Sequence, residues 1–459
     1  MRRIKNIHFI GIGGIGMSGI AQICLKKGYS VSGSDIHESD NTRNLNKLGI
    51  DIKIGHNGEN IAGKDLVVYS SAITPLNCEF QEAIKQNIPI VKRAEFLASL
   101  MGNQTVIAIT GAHGKTTTSS LAAHLLTQAD LAPTIAVGGI VSNLSNNAKL
   151  GIGKYFVAEA DESDGTFLFY KPHYSIITNI DHEHLDFYKT FENVKDSFEK
   201  FILNTQKGGC VFWCSDDKEL NNIMKKHPGI RNISFGLNSR ADIHPENIKL
   251  NCFSSQFDVF YKNKLIDRFE LSLTGMHNIS NSLSVIGMGL ELNLKVNLIK
   301  NILKSFLGAK RRFHVKYNED DLLIVDDYGH HPTEISATIR AAKNINKNRL
   351  VVIFQPHRYS RTEYLMDKFS QSFFDADELF ITDIYAAGEE KIKGVDARNL
   401  YNLMKNFDRP RTRYIEKSAL SCEVLNFIQG GDLVLFLGAG DITKICDEVV
   451  EGLKRKVKV

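Results

Sequence analysis

No apolar run in this chain of 459 residues approaches the roughly 20 that a membrane-spanning helix requires. Membrane partners are therefore not expected. A surplus of charge is lacking too: Lys and Arg number 56 against 52 Asp and Glu, a net +4. So small a balance leaves no footprint of a nucleic-acid binder, though it suits anionic small molecules. The seven cysteines (Cys24, Cys78, Cys210, Cys214, Cys252, Cys422 and Cys446) are odd in number, scattered, and without a C-x-x-C pair. That argues against a disulfide framework or a zinc ribbon and for reduced thiols. The opening Met-Arg-Arg is not followed by the apolar stretch of a signal peptide, so a cytoplasmic protein is expected. Internal repeats and low-complexity linkers are missing as well. What remains is a composition of 43% apolar and 24% charged residues, that of an ordinary globular protein with several cores. At roughly 100–200 residues per domain the length suggests about three domains. The basic tail Lys454–Lys458 reads as a solvated terminus.

Three series of alternating strands and amphipathic helices are present, which predicts an α/β protein built on parallel sheets. The first covers residues 1–102, with strands at Ile7–Gly11, Ser30–Gly33, Leu66–Ser70 and Pro89–Val91 and helices at 15–27, 78–86 and 93–101. The second covers 103–309. Its strands are Thr105–Thr110, Tyr155–Glu159, Tyr174–Ile180 and Gly209–Cys214, and helices at His277–Leu292 and Val296–Phe306 close it. Between them, Phe257–Tyr261 and Leu265–Leu273 flank a Lys-Asn-Lys turn and predict an antiparallel hairpin. The third covers 310–459, with strands at Leu322–Val325, Leu350–Phe354, Glu378–Thr382 and Leu433–Leu437. The short polar stretch Gly308-Ala-Lys-Arg-Arg312 between the last two reads as a hinge.

Two glycine loops stand out. Gly11, Gly13 and Gly16 fit G-x-G-x-x-G between a predicted strand and helix, and Asp35 ends the next apolar segment. Alone, that is the context of a dinucleotide loop. The second loop, Ile109-Thr-Gly-Ala-His-Gly-Lys-Thr-Thr-Thr118, also joins a strand to a helix. Its backbone N–H groups would cradle phosphates, with Lys115 on the terminal phosphates and Thr116 on Mg²⁺. Two residues separate Gly111 from Gly114, where the standard P-loop has four.

Gly111-Ala-His-Gly-Lys-Thr-Thr117 resembles the ATP loop of the Mur ligases, which build the peptide stem of bacterial peptidoglycan. The opening stretch His8–Gly19 is similar to that family too, and the resemblance runs in order along the whole chain. It implies three domains: a Rossmann-like UDP-binding domain, a central P-loop-type ATPase domain with a parallel sheet and a small antiparallel hairpin, and a C-terminal Rossmann-like domain. It further implies an amide ligase that uses ATP and Mg²⁺, acts on UDP-N-acetylmuramate and L-alanine, and works as a monomer or homodimer.

The implied roles follow residue by residue. Gly111, Ala112, His113, Gly114, Lys115, Thr116 and Thr117 would hold the ATP phosphates, and Asn278 and Asn281 its adenine end. Thr116, Glu159 and His184 would ligate metal. Arg312 would reach the γ-phosphate and Asp327 the nucleotide, so that Lys115, His184, Arg312 and Asp327 form the catalytic set. Tyr328, His330, His357, Arg358 and Arg361 would receive the amino acid, the arginines taking its carboxylate. A UDP-sugar carries a pyrophosphate, so the first loop is reassigned to it: Gly13, Gly14, Ile15 and Gly16, with Asp35, Ser70, Ser71 and Arg93. His184 and His330 both stand as candidates for the base that frees the amine.

Plainer readings compete. The acids of Val157–Asp164 make an ordinary solvated loop, and Asn278 and Asn281 suit helix capping. Taken alone, His182-x-His184-x-Asp186 opens a metallohydrolase signature, but Phe187 stands where the next His belongs. At the level of the whole chain the rivals are a sister ligase that attaches a peptide, an NAD(P)-dependent oxidoreductase that leaves Lys115 idle, and a non-catalytic nucleotide-binding regulator.

Overall fold

The computed structural model describes residues 4–345 and 347–456. The Met-Arg-Arg opening and the last three residues of the chain lie outside them; Lys454 and Arg455 are exposed on the final helix.

The N-terminal strands are β1 (Asn6–Ile10), β2 (Ser30–Asp35), β3 (Asp51–Ile54), β4 (Leu66–Tyr69) and β5 (Ile90–Lys92). They lie in the order β3-β2-β1-β4-β5, with every pairing parallel. Central β1 buries Ile7, Phe9 and Ile10, and His8 between them is buried as well. The helices are α1 (Ile15–Lys26), α2 (Asp40–Lys47), α3 (Cys78–Lys85) and α4 (Arg93–Met101). α2 and β3 were not expected. β3 is an edge strand, largely exposed, so no apolar run marks it.

The central strands are β6 (Thr105–Thr110), β7 (Thr134–Val141), β8 (Asn146–Lys149), β9 (Tyr155–Glu159), β10 (Tyr174–Ile177), β11 (Cys210–Cys214), β12 (Asn232–Phe235), β13 (Ile243–Leu250), β14 (Ser255–Tyr261) and β15 (Lys264–Leu271). Their order is β15-β14-β13-β12-β11-β10-β6-β9-β7-β8. β6 and β9 to β12 pair in parallel, β7 joins β9 in parallel, and β8 turns back antiparallel on β7. The predicted hairpin is present as β14 and β15. Lys262 and Asn263 connect them at φ 49° and 60°, the two positive values that a tight hairpin turn demands. Strands β7, β8, β12 and β13 escaped the sequence reading because glycine, asparagine and charged residues interrupt their apolar positions. Helix α5 (Lys115–Gln128) follows β6.

The C-terminal strands are β16 (His314–Glu319), β17 (Leu322–Asp327), β18 (Arg349–Phe354), β19 (Glu378–Ile381), β20 (Arg411–Tyr414) and β21 (Asp432–Leu437), in the order β16-β17-β21-β18-β19-β20. All pair in parallel except β16, an antiparallel edge strand that was not expected. Alternation along β17 sorts its side chains into two cores: Leu323 and Val325 face one side of the sheet, Leu322 and Ile324 the other.

Packing groups the chain into two units. The first holds the residues up to Glu246 with Asp258–Phe269 and Ser280–Leu307; the second holds Asn247–Phe257, Glu270–Ile279 and everything from Gly308 onward. Within the first unit α1 lies on β8. A Cβ on Gly19 would come within 2.8 Å of Ala148 Cβ and 2.9 Å of Asn147 Nδ2, and that amide donates to Ile15 O at 2.7 Å. All seven cysteines are free thiols. Among the described residues no helix is long and apolar enough to cross a membrane.

Candidate active site

The first loop leaves β1 at Gly11, φ 77°. The N–H groups of Gly11 and Ile12 both donate to Ser34 O, at 2.9 and 3.0 Å. The Gly13 N–H donates to Asp35 Oδ2 at 2.8 Å, and a Cβ there would sit 2.8 Å from the same oxygen. Asp35 thus holds the loop itself. Gly14 caps α1 without any side chain, which leaves first-turn N–H groups and the helix dipole for an anion. The Arg93 guanidinium lies over this end, where a Cβ on Gly16 would be 2.8 Å from Nη1. Its Nη2 is 3.6 Å from Asp161. Ser70 packs against Gly11, and exposed Ser71 follows it. The residues expected for the UDP-sugar therefore gather at the carboxyl end of one parallel sheet, where such folds bind ligands.

Behind this loop lies a group that sequence reasoning missed. Glu79 of α3 is fully buried. Its carboxylate accepts Ser34 Oγ at 2.6 Å, Asn60 Nδ2 at 2.6 Å and the Asn57 N–H at 3.2 Å, with His8 Nε2 at 3.3 Å. Burial alone would raise its pKa. The bonds from His8, Ser34 and Asn60 outweigh it and hold the group down to about 2.

The second loop joins β6 to α5 through Gly111 (φ 137°) and Gly114 (φ 83°). The turn after β10 laces it down. Ala112 N–H donates to Asn179 O at 3.1 Å and His113 N–H to Asn179 Oδ1 at 2.8 Å, while Thr178 Oγ1 donates to His113 O at 2.6 Å. A Cβ on Gly111 would lie 2.0 Å from Thr178 Oγ1, and one on Gly114 would lie 2.6 Å from Asn281 Oδ1. Asn281 therefore packs against the second loop at Gly114. Thr117 is buried on α5.

Lys115 Nζ donates to Gly111 O at 2.5 Å, Ala112 O at 3.1 Å and Glu162 Oε1 at 2.8 Å. Burial works against its charge, but Glu162 and Asp161 outweigh that and raise its pKa. Thr116 Oγ1 donates to Glu159 Oε1 at 3.0 Å, and Ser119 Oγ and the Gly138 N–H hold Oε2, each at 2.9 Å. His184 Nε2 lies 3.4 Å from Glu162 Oε1 and 3.7 Å from Glu183. These carboxylates outweigh burial and raise the imidazole's pKa. His113 pairs with Asp181 at 2.9 Å. His182 instead stacks on Phe191, with centroids 3.7 Å apart. Among the described residues His182, His184 and Asp186 form no metal-ligating cluster, which removes the geometric ground for the metallohydrolase reading.

A hard divalent cation fits this chemistry. Thr116 and Glu159 supply hard oxygens side by side. Glu162 Oε2 is buried without a hydrogen-bond partner, beside Lys115 and His184.

In the second unit the guanidinium groups of Arg311 and Arg312 lie 4.9 and 5.1 Å from the Tyr328 ring centroid. Arg312 Nη1 is 3.5 Å from Glu334. Asp327 is buried and turned inward, accepting the N–H groups of Phe313 at 2.6 Å and Gly329 at 2.8 Å. Burial raises its pKa against the pull of Arg312. Asn278 donates its amide to Thr274 O at 2.7 Å, tying the first turn of the helix Met276–Glu291 to the residue ahead of it.

The residues expected to receive the amino acid lie near one another. His330 and His357 have centroids 5.7 Å apart, and His357 stacks on Tyr385 at 5.6 Å. Burial, with His330, Arg361 and Arg358 nearby, pushes His357 down to about 3. The neutral ring accepts Arg361 Nη1–H on Nδ1 at 3.1 Å. Arg358 has φ 71° and ψ 140°. Such a conformation costs a residue other than glycine about 1–3 kcal/mol and persists where its surroundings over-determine it, most often at functional sites.

Three family models match in sequence: the Mur ligase family catalytic domain over residues 6–105, the Mur ligase middle domain over 109–289, and the Mur ligase glutamate ligase domain over 311–440.

The chain belongs to the Mur ligase family.

This Mur ligase is 44% identical over 456 residues to the UDP-N-acetylmuramate–L-alanine ligase of Geotalea uraniireducens, covering 98% of this chain and 99% of that one. It is 45% identical over 451 residues to the same-named ligase of Aquifex aeolicus, covering 98% of each. Among solved structures, the UDP-N-acetylmuramate–alanine ligase of Thermotoga maritima superposes with a TM-score of 0.85 at 30% identity, over 99% of this chain and 100% of that one. A murein peptide ligase from Psychrobacter arcticus shares the fold, with a TM-score of 0.72 at 22% identity, over 98% of each chain.

Besides Glu79, sequence reasoning overlooked Glu162, Asn179 and Tyr385, which the structure sets against the residues it had named. Glu162 was within reach as one of four acids beside the loop. Nothing in the linear pattern singles out the others.

Proposed function

We propose that this Mur ligase joins L-alanine to the carboxylate of UDP-N-acetylmuramate and releases ADP and phosphate from ATP. The observation that carries the reading is the pair of unlike glycine loops in the first unit. One stands at the end of a parallel sheet without a lysine and suits the pyrophosphate of a nucleotide sugar. The other brings Lys115, Thr116 and Glu159 together and suits a triphosphate. The relatives named for this activity, similar over 98% of the chain, support the choice of substrates. The seven free thiols support a cytoplasmic setting.

An amide cannot form while hydroxide is the leaving group. The muramyl carboxylate attacks the γ-phosphorus in line, which forms an acyl phosphate and expels ADP. The alanine nitrogen then attacks the acyl carbon, and phosphate leaves. Lys115 would turn its ammonium from Glu162 and the loop carbonyls to the phosphates, and Arg312, steadied by Glu334 and the Tyr328 ring, is the residue read as supplying further positive charge. Thr116 and Glu159 would hold Mg²⁺, with His184 and Glu162 at a second position. The ion supplies charge neutralisation on the phosphoryl oxygens. Arg358 and Arg361 take the alanine carboxylate, and neutral His357 orients Arg361. The amine must shed a proton first. His184 and His330 are the candidate bases, and His330 lies beside His357 in the pocket read as the acceptor site.

The test is phosphate release from Mg-ATP with UDP-N-acetylmuramate, with and without L-alanine. Release only with all three present, and lost in Lys115→Ala, is the expected result. Release with a tripeptide in place of alanine would assign the chain to the peptide-adding branch. Tight NAD(H) binding with no phosphate release would return the first loop to a dinucleotide.

A further inference from the structure

We infer that Tyr385 and Glu389 are positioning residues for the acceptor amino acid: the segment carrying them holds Arg358 in its strained conformation and steadies Arg361 beside it. The inference rests on the reading of those two arginines as carboxylate binders.

The segment follows β19 and is tied down at its start. The Asp383 carboxylate accepts the Tyr414 hydroxyl, and it accepts the Lys417 N–H at 3.0 Å. Tyr385 then runs parallel to His357 as an isolated bridge. Its N–H donates to Pro356 O, and its own carbonyl accepts the Arg358 N–H, both at 2.8 Å. Two residues on, Ala387 and Gly388 reverse the chain at φ 50° and 85°. The turn returns Glu389 to the helix Tyr359–Tyr364, where Oε2 accepts the Ser360 N–H at 3.1 Å and Oε1 accepts the Ser360 hydroxyl at 2.6 Å. The same Oε1 lies 4.0 Å from Arg358 Nη1.

A positive φ on an arginine relaxes unless both of its peptide groups are held. Here they are. The N–H is taken by Tyr385 O, and the carbonyl accepts Thr362 Oγ1 at 2.7 Å. Tyr385 acts a second time through its ring, which stacks on His357 at an interplanar angle of 17°. That imidazole receives the Arg361 N–H at 3.1 Å. One residue therefore steadies both arginines, the first through its backbone and the second through its ring. Glu389 sets the start of the short helix between them and stands beside the Arg358 guanidinium. A bidentate arginine clamp loses most of its worth when its fork is misaimed, so both residues should govern affinity for the acceptor.

The experiment is steady-state turnover of the full-length enzyme, with KM measured separately for L-alanine, UDP-N-acetylmuramate and ATP. Tyr385→Leu and Glu389→Ala should raise KM for L-alanine about tenfold or more, the effect of a lost charge-assisted contact. The other two KM values and kcat should stay within about twofold of wild type, a difference near RT. Tyr385→Phe keeps the ring and the backbone and should behave as wild type. If Tyr385→Leu or Glu389→Ala does not fold, Ser360→Ala removes one Glu389 contact alone and should raise the alanine KM by about threefold. An unchanged alanine KM in the folded variants, or equal movement of all three KM values, would overturn the inference. Wild-type enzyme without alanine-dependent turnover would instead overturn the proposed function.

Discussion

At the scale of single residues, the two glycine loops carry opposite electrostatics. The first offers backbone N–H groups with Arg93 laid over them. The second buries Lys115 against Glu162, whose side chain is only 2% exposed. Lys115 and Glu162 act as a pair, so removing one member leaves the other charged in a poorly solvated place. Glu162→Ala should destabilise the protein by about 1.5–3 kcal/mol, the range for a hydrogen bond to a charged group. Adding Lys115→Ala should recover part of that loss. Urea denaturation of the two single variants and the double variant measures the coupling; strict additivity would mean that the pair does not interact.

Glycines decide how closely whole elements can approach. α1 meets β8 at Gly19, where a methyl group already collides with Ala148 and Asn147. Gly19→Val should cost about 1–3 kcal/mol through overpacking, read as a lower Tm. Gly111 has a different constraint, since φ 137° and Thr178 at 2.0 Å both bar a side chain. Gly111→Ala should abolish ATP-dependent turnover, because relief of the clash must move the loop that carries Lys115. Wild-type turnover in that variant would mean that the loop geometry is not needed.

At the scale of the whole molecule, Glu79 should be one contributor to stability in acid. Its folded pKa of about 2 lies below the ordinary value of 4.5. A depressed carboxylate contributes stability that is present above the unfolded pKa and lost as pH falls through the folded one. The contribution of about 3 kcal/mol should therefore fade between pH 4.5 and 2. Glu79→Gln removes it at neutral pH and should flatten that part of the stability curve. Denaturant midpoints of wild type and variant from pH 7 to pH 2.5 check this; parallel curves would refute it. The same substitution should weaken UDP-sugar binding, because Ser34, anchored by Glu79, accepts the first two N–H groups of the loop.

Much of this was legible in the sequence. Apolar runs marked β6, β9, β17, β18 and β21, and β1 despite its buried His8, all of them central strands, and glycines with Lys115 marked the loops between strand and helix. Edge and short strands such as β3, β8, β16 and β20 were not legible, because exposure on one side removes the apolar signal. Within the site, the residues named from local motifs came together: Lys115 by its loop carbonyls, Thr116 with Glu159, His357 with Arg361. What the sequence by itself determined is the chemistry available, since residue type and spacing within one turn set which groups can donate, accept or carry charge. Only the tertiary structure decided which groups face each other across long separations. Glu79 reaches Ser34 and His8, Asn179 laces the phosphate loop, and Tyr385 holds Arg358. Those pairings arise because parallel strands deliver distant segments to one sheet edge, and no local pattern in the chain encodes that meeting.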